Sequence, residues 1–385
     1  MLRLRFLRKK RTVFVSAFIL IAGALIFLLF TPQGNASLKA VYFLSVFAKE
    51  FDAKIPRLPL FADREVIFEQ ITIPGDSEIL AADLYRPKDV SVKSPGVVFA
   101  YGTVPTIKDP RIVKLSRALA QGGFVVLVPH FPDLLADRVH ERTAYHMVDA
   151  FQWLQQQDFV DSQKVGFMGF CVGASLSLVA AADPTIANDV AWVHAISPYF
   201  DLFSFAEEVF SREYETLDGS KIAWEPHIQT VRIFQNELVL LLSEEDQKML
   251  TNALKEGSLK DEEFSSLSSD AQNLWRVFHA QSLEEARLFS KKLSSVFQET
   301  NARRSPSARL EGLLAPVFLV SGLDTFIPYA ESEKLAKALG SQAIFTPVEL
   351  FQHVDPSRKL SFFARAREAF RLWNHLRRAF LVSFS

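Results

Sequence analysis

The spacing of hydrophobic and polar positions changes several times along this chain, and each change predicts an element. Val66 to Ile73 and Ile79 to Tyr85 flank the turn residues Pro74-Gly75-Asp76-Ser77, which predicts two strands joined by a turn. Gly96–Ala100, Phe124–Val128, Val165–Phe170 and Val190–Ile196 are short, mostly apolar runs of the kind that form buried strands. Between them lie helical patterns. Ile112 to Gln121 ends at Gly122-Gly123, the expected stop signal. Ala136 to Gln157 carries Tyr145, Val148, Phe151, Trp153 and Leu154, and Ala174 to Ala182 forms a third helical run. Apolar strands alternating with amphipathic helices predict an α/β protein with a mostly parallel sheet covered by helices.

The rhythm stops near Ser197 and resumes at Pro316. The interval reads as helices over Val231–Leu242, Glu244–Leu254, Ala271–His279 and Leu283–Phe297, with a charged, serine-rich piece from Lys260 to Asp270. An inserted helical cap fits better than an independent domain, because the sheet pattern continues afterwards. Val317–Val320 is the next predicted strand, Ala330–Leu339 a helix, and Ala343–Leu350 the last strand, where Pro347 suits an edge position. Ser357 to Val382 predicts a terminal helix. Its Arg365, Arg367, Arg371, Arg377 and Arg378, set among Phe363, Phe370, Trp373 and Phe380, leave two readings open: packing on the sheet, or resting on an anionic membrane surface.

The N-terminus adds a third kind of pattern. A basic block, Arg3 to Arg11, precedes an uncharged run from Val13 to Phe30. At about 1.5 Å per residue that run covers roughly 27 Å, close to the bilayer core of about 30 Å. It predicts a single transmembrane anchor with its basic end cytoplasmic and the rest of the chain periplasmic, extracellular or luminal. A cleaved signal peptide competes, but its apolar core is usually about 7–15 residues and Gly34-Asn35-Ala36 is a poor cleavage match. The stretch from Ser37 to Phe51 places Ala40, Leu44, Phe47 and Phe51 at helical spacing, either juxtamembrane or packed on the globular part. The expected divisions are 1–31, anchor; 32–62, helix and linker; 63–200, core; 201–314, cap; 315–385, core. Net charge of -1 argues against nucleic acid as a partner.

The chemistry concentrates in Gly169-Phe170-Cys171-Val172-Gly173, between a predicted strand and a helix. Glycines two residues either side of a nucleophile mark a nucleophile elbow, whose tight turn leaves no room for side chains. Cys171 is the only cysteine, so it has no internal disulfide partner. A thiol nucleophile needs a base and an orienting acid. Asp324 follows a late strand in Val320-Ser321-Gly322-Leu323-Asp324, and His353 follows the last strand. Both therefore stand at strand carboxyl ends, where open α/β sheets place their sites.

With these three motifs in this order, the chain resembles the α/β-hydrolase superfamily and, through its Gly-x-Cys-x-Gly, the dienelactone-hydrolase-like branch. The resemblance covers roughly 64–199 and 315–382. It departs at Ala174, where that branch usually has a second glycine, and in the large cap, so no substrate is carried over. It implies an α/β-hydrolase fold, a Cys171–His353–Asp324 triad and an oxyanion hole formed by the N–H groups of Val172 and Thr103. Tyr101 and His130 are candidate pocket residues. The function expected is hydrolysis of an ester or thioester, or acyl transfer, on a small or lipid-like acyl substrate, with no cofactor or metal. The alternative is an inactive α/β-hydrolase-like module that binds a ligand or partner. Plainer readings stand beside each residue: Cys171 as a core cysteine, Asp324 as a helix cap with Asp201 the acid instead, His353 as a surface residue. Ser175 and Ser177 lack flanking glycines at the needed offsets.

Overall fold

Eight strands form one sheet in this computed structural model, which describes residues 30–46, 64–75, 79–89, 92–103, 106–352 and 360–384. In chain order they are β1 (Val66–Pro74), β2 (Ile79–Pro87), β3 (Ser94–Ala100), β4 (Val125–Pro129), β5 (Val160–Phe170), β6 (Val193–Ile196), β9 (Val317–Leu323) and β10 (Ala343–Gln352). Their spatial order is β1-β2-β4-β3-β5-β6-β9-β10. β1 and β2 are antiparallel to each other, as are β2 and β4, and the remaining pairs are parallel. Pro347 lies on β10 at the sheet edge, the place in a sheet where proline is tolerated.

The strands are β-rich in branched and aromatic residues and bury nearly every position in the centre: Val97, Val98, Val125, Val126, Phe167, Val193 and Val317 are essentially inaccessible. Their parallel register aligns the carboxyl ends. Ala100 is level with Gly169, Phe170 with Ile196, and Ile196 with Val320. The chain therefore leaves β3, β5, β6 and β9 along a single edge of the sheet, which is where the candidate site lies.

Flanking helices are α1 (Pro32–Val46), α2 (Pro110–Gln121), α3 (Pro132–Leu135), α4 (Arg142–Gln155) and α5 (Val172–Ala181). The helix expected from Ala136 to Gln157 starts later, at Arg142, because Asp137 adopts a left-handed backbone with φ of 56°. Between β6 and β9 the insertion comprises α6 (Leu202–Ser211), a hairpin of β7 (Glu213–Glu215) and β8 (Lys221–Ala223), then α7 (Ile228–Val239), α8 (Glu244–Glu256), α9 (Asp261–Ser266), α10 (Ser269–Phe278), α11 (Leu283–Ser290) and α12 (Ser295–Arg303). Single helices were expected across 283–297 and none over 202–211. α13 (Tyr329–Leu339) and α14 (Phe362–Phe384) complete the chain.

α1 packs on α14 rather than standing apart. Phe43 meets Phe380 edge-on at 5.8 Å, and Trp373 Nε1 donates to Ser37 O at 3.3 Å. Tyr42 donates to Gln121 Oε1 at 2.6 Å, tying α1 to α2 as well. Of the two readings of that helix, the structure shows the packed one. α14 also packs on β10, while Phe362, Phe363 and Phe370 on it are exposed. Among the described residues no helix is long and apolar enough to cross a membrane. The Val13–Phe30 run lies outside them except for Phe30.

Candidate active site

Cys171 sits between β5 and α5 with φ of 54° and ψ of -133°, a backbone conformation an L residue adopts only under constraint. Such strain costs on the order of 1–3 kcal/mol and persists where the surroundings impose it. The surroundings are visible at the glycines. A Cβ on Gly173 would lie 2.0 Å from Tyr101 O and 2.6 Å from Ala100 O, and one on Gly169 would lie 2.5 Å from Ala174 Cα. Cys171 N–H donates to Ile196 O at 2.9 Å, fastening the elbow to β6. Ala174 fits without a glycine: it is fully buried, and its N–H donates to Cys171 O at 2.9 Å.

The loop after β3 passes close beside the thiol. A Cβ on Gly102 would lie 3.0 Å from Cys171 Cβ and 3.6 Å from its Sγ. Thr103, the next residue, is thereby carried to the elbow's side of the sheet edge. Val172 is the first residue of α5, so its N–H has no acceptor within the helix, and the helix start favours negative charge there. These are the two places named from sequence for the oxyanion hole.

Asp324 is buried, directly after β9. Its Oδ1 accepts the N–H of Phe326 at 2.7 Å, and its carbonyl accepts Trp224 Nε1 at 2.8 Å. It does not cap the following helix, which begins at Tyr329 behind Pro328. Asp201, the alternative acid, caps α6 through Phe203 N–H and Ser204 N–H, and its other oxygen takes the Ser307 hydroxyl. His353 lies outside the described residues. The strand before it brings Gln352 into register with Leu323, the neighbour of Asp324.

The remaining sequence candidates are placed as follows. Tyr101 is in the core, its hydroxyl accepting Phe131 N–H at 2.9 Å, and burial pushes its pKa up, keeping the phenol neutral. His130 Nε2 lies 3.1 Å from Asp83 Oδ1 on β2. Both rings thus serve contacts within the fold as well as lying near strand ends. Ser175 exchanges hydrogen bonds with the Tyr199 backbone at 2.8 and 3.1 Å, and Ser177 donates to Ala174 O. Among the described residues no group of His, Cys, Asp and Glu could hold a metal ion.

Three residues that the sequence did not single out reach this edge from the cap: Trp224, His227 and Gln229. His227 stacks on Phe326 with ring centroids 4.0 Å apart, and its Nδ1 accepts Gln229 N–H at 3.2 Å. That bond puts the proton of the neutral ring on Nε2. No local pattern marks them, because their partners are remote in the chain.

A strained strand–helix turn at Cys171, on a mostly parallel sheet whose carboxyl-end edge also carries Asp324, defines an α/β-hydrolase fold. Residues 80–202 match the family model of the Dienelactone hydrolase family, the branch the elbow resembles. No curated protein matches the chain by sequence. Similar solved structures include Pyrococcus horikoshii acylaminoacyl peptidase, with 12% identity and a TM-score of 0.46 over 77% of this chain and 40% of that one. A puromycin-hydrolyzing peptidase from Mycobacterium tuberculosis has 16% identity and a TM-score of 0.49 over 84% and 39% of the two chains. Brefeldin A esterase, a bacterial homologue of human hormone sensitive lipase, has 16% identity and a TM-score of 0.46 over 90% and 84%. The chain spans about two fifths of the length of the two peptidases.

Proposed function

We propose that the protein hydrolyses an ester or thioester, or transfers its acyl group, through an acyl-enzyme on Cys171. The observation that carries this reading is the strained Cys171 backbone, held between Gly169, where a Cβ would collide with Ala174, and Gly173, where one would collide with the backbone of Ala100 and Tyr101. In the proposed sequence, His353 takes the thiol proton and Sγ attacks the substrate carbonyl carbon. The carbonyl π pair moves to oxygen, and the N–H groups of Val172 and Thr103 hold that oxyanion. Collapse of the adduct breaks the bond to the leaving group, which receives the proton from His353. Water then attacks the thioester, giving its proton to His353, and the second adduct expels Cys171 as thiolate. Asp324 orients His353.

The cap and the apolar run Val13–Phe30 support an apolar acyl substrate and a membrane-anchored enzyme whose catalytic part lies on the non-cytoplasmic side. Both belong to this reading. The test uses the full chain in detergent with p-nitrophenyl esters of increasing chain length, comparing wild type with Cys171→Ala and His353→Ala. Turnover by wild type and a loss of at least about a thousandfold in each variant is expected. No turnover, with no acyl labelling of Cys171, would leave the binding-module reading instead. Carbonate extraction and protease protection of membranes test the anchor and its sidedness.

A further inference from the structure

One short cap segment, Trp224 to Thr230, touches both sides of the candidate site. On the acid side, Trp224 Nε1 donates to Asp324 O at 2.8 Å, and His227 N–H donates to Thr325 O at 2.6 Å. The His227 ring lies on Phe326, and the Thr230 hydroxyl donates to Phe326 O at 3.3 Å. On the other side, the Gln229 carboxamide nitrogen donates to Thr103 Oγ1 at 3.4 Å and to Asp137 Oδ1 at 3.0 Å. The Asp137 carboxylate can only accept, which fixes the NH2 end of Gln229 toward both partners.

The segment is itself well anchored. Trp224 N–H donates to Arg212 O at 2.8 Å, and His227 caps the start of α7. Further along α7, Glu237 pairs with Arg138, next to Asp137, at 3.0 Å and with the buried Arg304 at 2.8 Å. Gln229 is thus carried on a cap helix that is fixed to the core at its far end, and it reaches back to the loop beside the thiol.

We propose that Gln229 is a positioning residue for the oxyanion loop: its carboxamide, braced by Asp137, holds Thr103 beside the nucleophile elbow, so that cap docking and assembly of the oxyanion hole are one event. This rests on the acyl-transfer reading above. A donor stabilises developing charge only if it is in place before the charge appears, and displacement by about 1 Å costs on the order of a hundredfold in rate. Thr103 is the position that needs such support, because it lies in a loop and its neighbour Gly102 has no side chain to pack.

The full chain in detergent is assayed as wild type, Gln229→Ala and Gln229→Glu, with amide hydrogen exchange followed at Gly102 and Thr103. Gln229→Ala should lower kcat about ten- to a hundredfold with KM changed by less than about twofold, and speed exchange at both amides at least about fivefold. Gln229→Glu keeps the shape but sets a carboxylate against Asp137. Its activity relative to wild type should be poorest near pH 8 and recover toward pH 5, as one proton comes to be shared between the two carboxylates. Unchanged exchange in both variants overturns the proposal, as does a kcat within twofold of wild type. Equal losses in kcat and melting temperature, with no recovery at low pH in Gln229→Glu, mean a structural role only and overturn it too. Should wild type show no Cys171-dependent turnover, it is the acyl-transfer reading that fails. Exchange then decides the clasp alone: faster exchange upholds it and unchanged exchange ends it.

Discussion

The elbow and the cap segment reach the same edge of the sheet by opposite means. The elbow is announced by five neighbouring residues and held by close packing against strands on either side. Cys171 is held by Gly169, Gly173 and the ends of two adjacent strands, and its backbone is forced into place by close contacts. The cap segment is built from partners far apart. Gln229 meets Thr103 and Asp137, which lie 126 and 92 residues away, and it holds them by hydrogen bonds at ordinary distances. Sterics fix the first without alternatives, whereas polar contacts that can open and re-form hold the second. A nucleophile needs the former, and a cap that admits substrate needs the latter.

The sharpest way to break this contrast is Gly173→Ala. A methyl there would stand 2.0 Å from a backbone oxygen, which no side-chain rotation can relieve. The expected result is no folded protein, or a loss of more than about 5 kcal/mol in denaturant unfolding. A soluble variant within about 2 kcal/mol of wild type would show that the elbow is looser than its geometry implies.

The same contrast explains what could be read in advance. Five residues announced the elbow, because the glycine offsets are a local requirement. The strand end placed Asp324 directly after β9, because apolar runs and their stops are local too, whereas His353 lies outside the described residues. An Asp before an apolar run reads equally as a helix cap or a catalytic acid, and only the folded chain shows Asp201 capping α6 through Phe203 and Ser204 N–H. The run from Leu283 to Phe297 looked like a single helix, but the chain turns at Lys291–Ser294 before α12 begins. Trp224, His227 and Gln229 gave no signal. Which loop a cap residue meets is decided by how the cap docks, and docking is written in no window of the sequence.

The seam between cap and core offers the next test. Lys334 on α13 lies 2.6 Å from Glu208 of α6 and 2.6 Å from Glu331, and both carboxylates are fully buried. Lys334→Met would leave two buried carboxylates without a cation and should cost about 3–5 kcal/mol. Lys334→Met with Glu208→Gln, which removes one of those charges, should recover part of the loss. If the single variant is as stable as wild type, the seam does not hold the cap.

The seam and the core should also answer pH differently. Burial, then the charge of Glu331, pushes Glu208 up to about 8 from an ordinary 4.5, and its Oε2 has no partner. The folded state thus keeps a proton that the unfolded chain has lost, so this contribution is whole below about pH 4.5 and fades as pH rises to about 8. In the core, His194 and His375 meet at 2.8 Å, and burial lowers both, His194 to about 4. Their contribution is present above about pH 6.5 and fades as pH falls. Between pH 6.5 and 8 Glu208 is opposed by Lys39, whose ammonium burial lowers from 10.5 to about 6, so that its contribution improves as pH rises and the share of Glu208 is read by difference. Over that interval wild type should lose about 1–2 kcal/mol relative to Glu208→Gln. The same pH dependence in wild type and Glu208→Gln would assign the titration elsewhere.

The smallest effect expected is at Gly257, the residue that ends α8 in the cap. It has φ of 73°, as Cys171 has a positive φ, but nothing lies within 4 Å of where its Cβ would stand. Gly257→Ala therefore isolates the backbone penalty from the steric one and should cost about 1 kcal/mol, with kcat unchanged. Gly173 has a negative φ and no space, whereas Gly257 has space and a positive φ, so the two variants separate the causes that act together at Cys171. If Gly257→Ala proved as damaging as Gly173→Ala, backbone conformation rather than close packing would be what holds the elbow.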